Sequence, residues 1–506
     1  MFRAFYVLPI VYALLAGIAV AAGEVAPPAP SEPVPTPAQL AWQRTETVMF
    51  LHFGMNTFTN REWGEGKESE KLFNPSRLDA RQWAKAAKAA GFDLVILTAK
   101  HHDGFCLWPS RVTEHCVKNS PWKGGQGDVV KEFTDACRAE GVRAGLYLSP
   151  WDRNQPAYGD SPRYNAYYRA QLTELLSNYG TVAEVWFDGA CGEGPNGKRQ
   201  EYDWPSYYGL IRKLQPQALI AICGPDIRWV GNESGFAREN ESSIQPASAE
   251  MHRGKTKVWY PAECDVSIRP GWFWHANEDS QVKSLAHLMR IYFASVGRNS
   301  NLLLNVPPNK EGLISAADIA RLNEFKAALD KLYGSNLAAG CPLRASNVRG
   351  GSDRYGPDKV LDGNLDTYWA TDDAVTSGWL EVDLGQPRMF NVVRVQEAIA
   401  LGERVQAWHV EALVDGNWKT LCKGTVIGHK RLLRVPAVTA TKVRLVIDRA
   451  KACPAIAEFG LHVMPMLGTA ASGSVAANKP ARASSVHPGE AEFGADNAVD
   501  DDLGTR

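Results

Sequence analysis

Val185-Trp-Phe-Asp-Gly189 is a short apolar run that leads directly into a carboxylate and a glycine turn. A run of this kind predicts a buried strand. In a barrel of parallel strands, a polar residue at the carboxyl end of a strand points into the active site rather than into the core. The stretch therefore predicts a barrel strand with Asp188 at its functional end.

Short apolar runs alternate with helical segments across residues 41–337. Helical stripes begin after Asp79 and Asp128 and stop at Gly91 and Gly141, as acidic N-caps and glycine stops predict. Repeated alternation implies an α/β fold with a parallel sheet. Polar residues after nearly every strand favour a (β/α)8-type barrel over an open sheet. The runs are Val48–Phe53, Leu94–Thr98, Ala144–Leu148, Val185–Phe187, Leu219–Cys223, Val258–Tyr260 and Leu302–Val306.

The pattern changes after residue 337. Short alternating runs separated by turns fill residues 341–465 and predict an all-β sandwich. Residues 483–505 repeat the beginning of this region, since Ala483-Ser-Ser-Val-His487 echoes Ala345-Ser-Asn-Val-Arg349. So short a segment cannot bury a sandwich core. We therefore expect a linker at residues 466–480 and the truncated start of a second module at residues 481–506.

The N-terminus has the features of an export signal. Arg3 supplies a positive charge, Phe5–Val20 is apolar, and Ala19-Val-Ala21 fits a small-x-small cleavage site. The alternative is an uncleaved anchor helix, which Pro9 disfavours because a spanning helix needs about 20 solidly apolar residues. Residues 1–22 are thus predicted to be a signal peptide.

Such a signal predicts a secreted or periplasmic protein with no stable membrane insertion after signal removal. No cysteine lies near the cleavage site, so a lipid anchor is not expected. Residues 23–40 are rich in proline and predict an extended, disordered linker.

Composition excludes some partners and metal-binding folds. The net charge of −1 gives no electrostatic reason to expect a nucleic acid or an anionic membrane as partner. No glycine-rich phosphate-binding motif opens a helix, so nucleotide binding has no support. The nine cysteines are scattered without a CxxC motif, which argues against a zinc ribbon or a thioredoxin-like site.

A second carboxylate, Glu233, lies in the glycine-flanked loop Trp229–Gly235. Two carboxylates from strand ends, among aromatic residues and histidines, are the groups that glycoside hydrolysis requires. Other loop carboxylates are alternatives to Glu233, and Glu263 is the main one because it follows another apolar run. The alternatives are Glu62, Glu193, Glu239 and Glu263.

Adjacent histidines follow the second predicted strand, in Lys100-His-His-Asp-Gly104. A metal pair is one interpretation. Neighbouring residues of a strand point to opposite faces, however, so His101 and His102 are not expected to share one ion. Neutral imidazoles that donate to and accept from sugar hydroxyls fit the pattern better. His52, at the end of the first strand, belongs to the same ring of positions.

Five motifs together resemble glycoside hydrolase family 29, the α-L-fucosidases, over about residues 40–335. They occur in the family's order, and Trp229–Gly235 with Pro261–Asp265 is similar to the subfamily that prefers α-1,3/4-linked fucose on branched, Lewis-type glycans. The motifs are Leu51-His-Phe-Gly54, Glu62-Trp63, Lys100–Trp108, Trp186-Phe-Asp-Gly189 and Asn305-Val-Pro-Pro308.

The resemblance implies a retaining exo-α-L-fucosidase that uses no cofactor and acts on fucosylated oligosaccharides or glycoconjugates. Asp188 would be the nucleophile and Glu233 the acid/base. The implied substrate-binding residues are His52, Glu62, Trp63, His101, His102, Tyr147 and Trp186. Two alternatives stay open: a non-catalytic glycan-binding protein that uses the same pocket, and a barrel exo-glycosidase for another sugar such as galactose.

Residues 341–465 resemble the discoidin, or factor 5/8 type C, modules. Val360–Trp369, Leu380–Gly385 and Ala457-Glu-Phe459 carry the resemblance. Such modules often hold a structural Ca²⁺, for which oxygen atoms are the preferred ligands. The resemblance implies that the ligands here would be Asp362, Asp366, Thr367 and Glu458.

Overall fold

The computed structural model describes residues 25–464 of the chain. Its helices are α1 Pro37–Gln43, α2 Met55–Thr59, α3 Ala80–Ala89, α4 Val129–Glu140, α5 Ser161–Asn178, α6 Trp204–Leu214, α7 Leu285–Ala294 and α8 Ala316–Tyr333. Its strands are β1 Thr47–Leu51, β2 Leu94–Lys100, β3 Arg143–Leu148, β4 Glu184–Phe187, β5 Leu219–Ile222, β6 Arg228–Trp229, β7 Ile244–Pro246, β8 Lys257–Trp259, β9 Ala262–Ser267, β10 Ser300–Asn305, β11 Leu343–Ala345, β12 Trp369–Ala370, β13 Gly378–Glu397, β14 Val405–Val414, β15 Asn417–Gly424, β16 Arg431–Ala450 and β17 Ala455–His462.

Eight strands form a nearly closed parallel barrel, as the sequence predicts. Their order is β5-β4-β3-β2-β1-β10-β9-β6. Between β5 and β6 the ladder is replaced by a single antiparallel bridge, Cys223 to Arg228. Because all eight strands run the same way, their carboxyl ends meet on one face of the barrel, and the residues that follow them lie close together.

Side chains alternate between the two sides of the barrel wall. Phe50, Tyr147 and Trp186 pack inside the barrel, whereas Leu51 and Leu146 pack outward against the helices. This alternation follows from the two-residue period of a strand. The barrel interior is thus a packed core, and its top layer at the strand ends is available for a site.

The helix boundaries that depend on capping are confirmed. The Asp79 carboxylate accepts hydrogen bonds from the Arg81 and Gln82 amides at 3.0 and 3.1 Å and begins α3. Asp128 caps α4 in the same way through the Lys131 amide at 2.9 Å. Gly141 follows α4 with φ of 72°, the left-handed conformation that glycine adopts without strain.

One strand prediction is wrong. Val258–Tyr260 does not belong to the barrel, because β8 pairs antiparallel with β7 in a separate two-stranded sheet. The barrel position belongs instead to β9, Ala-Glu-Cys-Asp-Val-Ser, whose residues are all buried. Every second residue of the strand interior is acidic, namely Glu263 and Asp265. The segment is therefore not a continuous apolar run, and the apolar pattern does not predict it as a strand.

The C-terminal region is an antiparallel β-sandwich, as predicted. The strand order is β12-β17-β13-β16-β14-β15, and β11 pairs with β13. Strands β13 and β16 are 20 residues long, and register shifts after Asp383 and Phe390 interrupt their ladder. The two strands bend at these shifts around a core that contains Trp369 and Trp408.

The proline-rich segment is ordered where the structure describes it, so the prediction of a disordered linker is wrong for residues 25–40. The Ser31 amide donates to the Leu401 carbonyl at 2.9 Å, and Arg349 donates to the Ala26 carbonyl at 2.7 Å. Arg404 donates to the Ala29 carbonyl. An extended chain leaves its carbonyls free to accept such bonds, and the segment therefore lies along the sandwich before α1 begins.

The predicted signal peptide, the 466–480 linker and the truncated second module lie outside the described residues. Within residues 25–464, no helix combines the length and the apolar character that membrane crossing requires.

A buried ion pair joins the barrel to the sandwich. Lys430 contacts the Glu46 carboxylate, and His429 Nε2 lies 3.3 Å from it. Burial opposes ionisation, but Lys430 and His429 outweigh it and hold the pKa of Glu46 well below its ordinary value. Tyr292 also donates to Glu46 at 3.1 Å.

Replacing Glu46 by Gln should destabilise the protein by about 3–5 kcal/mol, because it leaves Lys430 buried without its counter-ion. Thermal and urea unfolding of both proteins is the measurement. The double variant Glu46→Gln, Lys430→Met should recover part of the loss, since it removes the unpaired charge. An unchanged unfolding transition in Glu46→Gln would show that the pair contributes nothing.

Candidate active site

Asp188 directly follows β4 and lies at the carboxyl-end face of the barrel. Its Oδ2 accepts a hydrogen bond from the Tyr147 hydroxyl at 2.9 Å, and its Oδ1 accepts one from the Ala190 amide at 2.7 Å. His102 Nε2 lies 3.8 Å from Oδ2. The Asp188 side chain is 25% exposed, so it is held by the protein and still reachable from the pocket. Both donors stabilise negative charge on this carboxylate.

His52, His101 and His102 lie together at the same face, and all three are buried. Each Nδ1 has a partner. Asn305 Oδ1 is 2.9 Å from the Nδ1 of His52, and Ser149 Oγ is 2.7 Å from that of His102. Asn56 Nδ2 is 3.3 Å from that of His101.

Burial keeps these imidazoles neutral. It lowers the pKa of His52 to about 4. Burial, together with His102 and His52, holds the pKa of His101 well below its ordinary value, and burial lowers the pKa of His102 against the opposing effect of Asp188. A neutral ring with Nδ1 engaged still has Nε2 to offer to a hydroxyl-rich ligand.

The prediction that His101 and His102 point to opposite faces is wrong. Strand β2 ends at Lys100, so the two-residue alternation stops before them. Their ring centroids are 4.1 Å apart. His101, His102 and Asp188 offer ligand atoms within 4.8 Å of one another, and the geometric argument against a shared ion therefore fails.

Tyr147 and Trp186 form the floor of the pocket. Their rings are stacked with centroids 5.3 Å apart, and Tyr147 is also parallel to His101 at 5.8 Å. Trp186 is 4% exposed and lies two residues before Asp188, on the same side of the barrel wall and one layer deeper. Trp186 thus supports Tyr147 from below.

Glu233 is exposed on the loop after β6 and accepts a hydrogen bond from the Trp272 indole at 3.1 Å. The Trp272 ring lies 5.0 Å from His52. One indole therefore connects Glu233 to the histidine wall, the cluster formed by His52, His101 and His102. Asn232 shapes the loop, since its Oδ1 accepts from the Ser234 amide at 3.1 Å and its Nδ2 donates to the Phe236 carbonyl at 2.9 Å. Tyr147, His52 and Trp272 therefore link Asp188 to Glu233 through consecutive contacts.

Glu62 holds the loop that carries Trp272. Its carboxylate accepts from the Trp272 amide at 2.7 Å and the Phe273 amide at 3.3 Å, and it lies 2.6 Å from His275 Nε2. Trp63 is 55% exposed at the pocket rim, edge-on to His102 at 5.7 Å. The structure thus places both predicted residues at the pocket, with much of the Glu62 carboxylate engaged by protein donors.

Comparison with known proteins decides the family. The Alpha-L-fucosidase profile matches residues 34–332, and the F5/8 type C domain profile matches residues 342–459. The chain belongs to the α-L-fucosidase family. It is 48% identical over 459 residues to "Putative alpha-L-fucosidase 1" of Oryza sativa subsp. japonica, which covers 88% of each chain. It is 44% identical to "Alpha-L-fucosidase 1" of Arabidopsis thaliana, over 87% of this chain and 90% of the relative.

Solved fucosidase structures share the fold. A Ruminococcus gnavus GH29 fucosidase in complex with fucose aligns with a TM-score of 0.82 and 35% identity, over 88% of this chain and 98% of that one. A putative α-L-fucosidase from Bacteroides thetaiotaomicron aligns with a TM-score of 0.81 and 42% identity, over 86% and 99% of the two chains. This fucosidase is thus a glycoside hydrolase with a barrel and a discoidin-type module.

Sequence reasoning missed two residues of this fucosidase pocket. Asn305 ends β10, and its Nδ2 donates to Ser267 at 2.9 Å and to the Trp272 carbonyl at 2.8 Å, while its Oδ1 serves His52. Because Oδ1 can only accept, His52 donates from Nδ1 and its Nε2 is an acceptor. The position of Asn305 at a strand end was a usable signal, whereas nothing local in Gly271-Trp-Phe273 indicates the contact of Trp272 with Glu233.

Glu263, the main alternative to Glu233, lies inside the barrel of the fucosidase rather than after a strand. It is 1% exposed and accepts from the Trp186 indole at 2.8 Å. Burial, with the nearby Glu184, raises its pKa well above the ordinary value. The Trp186 floor therefore separates Glu263 from the pocket mouth, where Glu233 lies.

The predicted calcium ligands of the sandwich already have partners within the protein. Asp366 forms an ion pair with Arg44 at 2.6 Å, and Glu458 forms one with Arg394 at 2.9 Å. The Thr367 hydroxyl donates to Asp362 at 2.6 Å. The structural calcium ion stays a prediction for this module.

The buried Glu184 predicts a pH effect on stability. It accepts from the Trp42 indole at 2.9 Å, and burial raises its pKa from 4.5 to about 8. A raised pKa contributes stability that is complete below the unfolded value and is lost as the pH rises through the folded value. At pH 9, Glu184→Gln should therefore be more stable than the parent. The gain should be on the order of 1.4 kcal/mol for each unit by which the folded pKa exceeds the unfolded pKa. Melting temperatures from pH 5 to 9 are the measurement, and equal differences at both ends would contradict the shift.

Proposed function

We propose that this protein is a retaining exo-α-L-fucosidase that releases terminal α-1,3/1,4-linked L-fucose from branched, Lewis-type glycans. The observation that carries the proposal is that Asp188, held by Tyr147 and Ala190 among neutral histidines, is linked through the Trp272 indole to Glu233 on the loop after β6. The similarity of the chain to α-L-fucosidases supports the choice of sugar.

The proposed reaction has two displacements. Asp188 attacks the anomeric carbon, the bond to the leaving oxygen breaks, and Glu233 gives its proton to that oxygen. Glu233, now a carboxylate, takes a proton from water, and the water oxygen attacks the anomeric carbon and releases Asp188. Retaining enzymes of this type hold their carboxyl groups about 5–5.5 Å apart.

The histidine wall suits the binding of fucose. Neutral rings whose Nδ1 atoms are engaged by the protein can accept from or donate to hydroxyls at Nε2 without an ion-pair cost. The aromatic residues at the floor and rim offer apolar contact for the methyl group of a 6-deoxy sugar, a discrimination against galactose worth about 1–3 kcal/mol. Glu62 contributes in this proposal mainly by fixing the Trp272 loop.

We also propose that turnover needs no metal ion. Asp188 Oδ2 already accepts from Tyr147, and the chemistry of two carboxylates is complete without a Lewis acid. Full activity after dialysis against EDTA is the expected result, and loss that returns with a divalent cation would contradict it.

A location outside the cytoplasm is part of the proposal and rests on residues 1–22. N-terminal sequencing of the protein from its native host should find this segment removed. Its retention in the mature chain would overturn the assignment.

The test of function compares an aryl α-L-fucoside, an aryl α-galactoside and a Lewis-type trisaccharide as substrates. Release of fucose from the fucoside and the trisaccharide supports the proposal, and proton NMR should show α-fucose as the first-formed product. Preference for the galactoside would favour another exo-glycosidase. Fucose binding without turnover of any substrate would favour a glycan-binding protein.

A further inference from the structure

Trp229 presents a large apolar ring to solvent at the pocket mouth, with 40% of the residue exposed. The ring is held in place. Its Nε1 donates to Asp265 Oδ1 at 2.7 Å, and its backbone belongs to β6, which pairs with β9. The Val230 amide adds a bond to the Glu263 carbonyl at 3.0 Å. A ring fixed in this way stays exposed instead of folding back onto the protein.

Trp229 lies on the same side of the pocket as Glu233. Strand β6 leads directly into the loop that carries Glu233, and the Asn232 side chain bonds to two backbone groups of this loop. Asp265, which holds the Trp229 ring, is close enough to Glu233 for that carboxylate to raise its pKa, in addition to the larger effect of burial. Asp188 follows β4, and only β5 lies between β4 and β6 around the nearly closed barrel.

The leaving group lies on the same side of the pocket as the general acid. A general acid must reach the oxygen that links fucose to the rest of the glycan, so the sugar that bears this oxygen lies against the elements around Glu233. Sugar rings present C–H faces that pack on aromatic rings, and binding sites for them combine such rings with a few polar groups.

We propose that Trp229 is the platform for the neutral sugar that carries the fucose, and that Asp265 positions its ring. This inference rests on the proposed function and deepens it by naming the residue that selects an oligosaccharide over a simple fucoside. The occupant is a neutral pyranose with an exposed C–H face.

Asp265 suits this role because of its environment. It is 5% exposed, and burial raises its pKa well above the ordinary value. Burial thus disfavours a second negative charge beside Glu233, while the Asp265 oxygen still accepts from the indole. Asp265 is therefore a positioning residue that acts through Trp229.

The experiment measures kcat/KM for an activated aryl α-L-fucoside and for a Lewis-type trisaccharide with the parent protein, Trp229→Ala and Trp229→Phe. In Trp229→Ala the trisaccharide value should fall about 10- to 100-fold, as expected for loss of one apolar contact surface, and the aryl fucoside value less than about 3-fold. Trp229→Phe keeps a ring face and should recover most of the trisaccharide value. The defucosylated disaccharide should inhibit the parent more strongly than Trp229→Ala.

Trp379→Ala is the matched control, since this half-buried tryptophan of β13 lies on the sandwich and stacks on Arg444. This variant should leave kcat/KM unchanged for both substrates. An equal fall of kcat/KM for both substrates in a folded Trp229→Ala protein, or no fall for either, would contradict the proposed role of Trp229. Absence of fucose release from both substrates by the parent would instead overturn the proposed function itself, and the two failures are thus distinct.

Discussion

Asp188→Ala should lose turnover of an aryl α-L-fucoside by about 10⁴-fold or more, the scale seen when an enzymatic nucleophile is removed. In the parent, Tyr147 and Ala190 hold the carboxylate at the end of β4, and no other carboxylate within residues 25–464 shares these contacts. Glu263 lies below the Trp186 floor and cannot take its place. The measurement is kcat and KM for the aryl fucoside, with fucose binding followed by calorimetry.

Added azide separates a missing nucleophile from a damaged pocket. A small anion that enters the space of the Asp188 carboxylate attacks from the same face, so Asp188→Ala should form β-fucosyl azide. Asp188→Asn keeps an oxygen for the Tyr147 hydroxyl and should retain the parent's melting temperature within a few degrees. A folded Asp188→Ala protein with near-normal turnover would remove Asp188 from the mechanism.

The barrel and its main carboxylate could be predicted because the relevant signals are local. An apolar run that ends in Asp188 reads as a buried strand with a functional end, and Asp79 and Gly141 mark helix boundaries through their own backbone geometry. Strand β9 escaped the same search, because the barrel interior accepts Glu263 and Asp265 when indoles donate to them.

The rest of the site depends on contacts between distant parts of the chain. Glu62 accepts from the Trp272 amide across 210 residues, and Asn305 meets His52 across 253. No spacing rule predicts such pairs. His101 and His102 show a different difficulty: their identity was predictable, but their common orientation depends on where β2 ends, and strand ends are poorly defined by sequence.

Glu233→Ala should lower kcat/KM for a Lewis-type trisaccharide by about 10²- to 10⁴-fold, the range that general acid–base catalysis supplies. The sugar oxygen of the trisaccharide is a poor leaving group and needs the Glu233 proton. A dinitrophenyl α-L-fucoside does not, so its first step should survive in the variant. The fucosyl-enzyme should then accumulate, because the base that activates water is also missing, and stopped-flow release of dinitrophenolate should show a burst.

Azide gives the opposite product in this variant. It enters the space left by Glu233 and attacks the fucosyl-enzyme from the face opposite Asp188, so α-fucosyl azide should form, in contrast to the β-product of Asp188→Ala. Glu239→Gln is the matched control, since Glu239 is an exposed loop carboxylate near Glu233 in the chain, and it should behave as the parent. An equal fall of kcat/KM for both substrates in a folded Glu233→Ala protein, with no azide product, would assign the acid/base role to another residue.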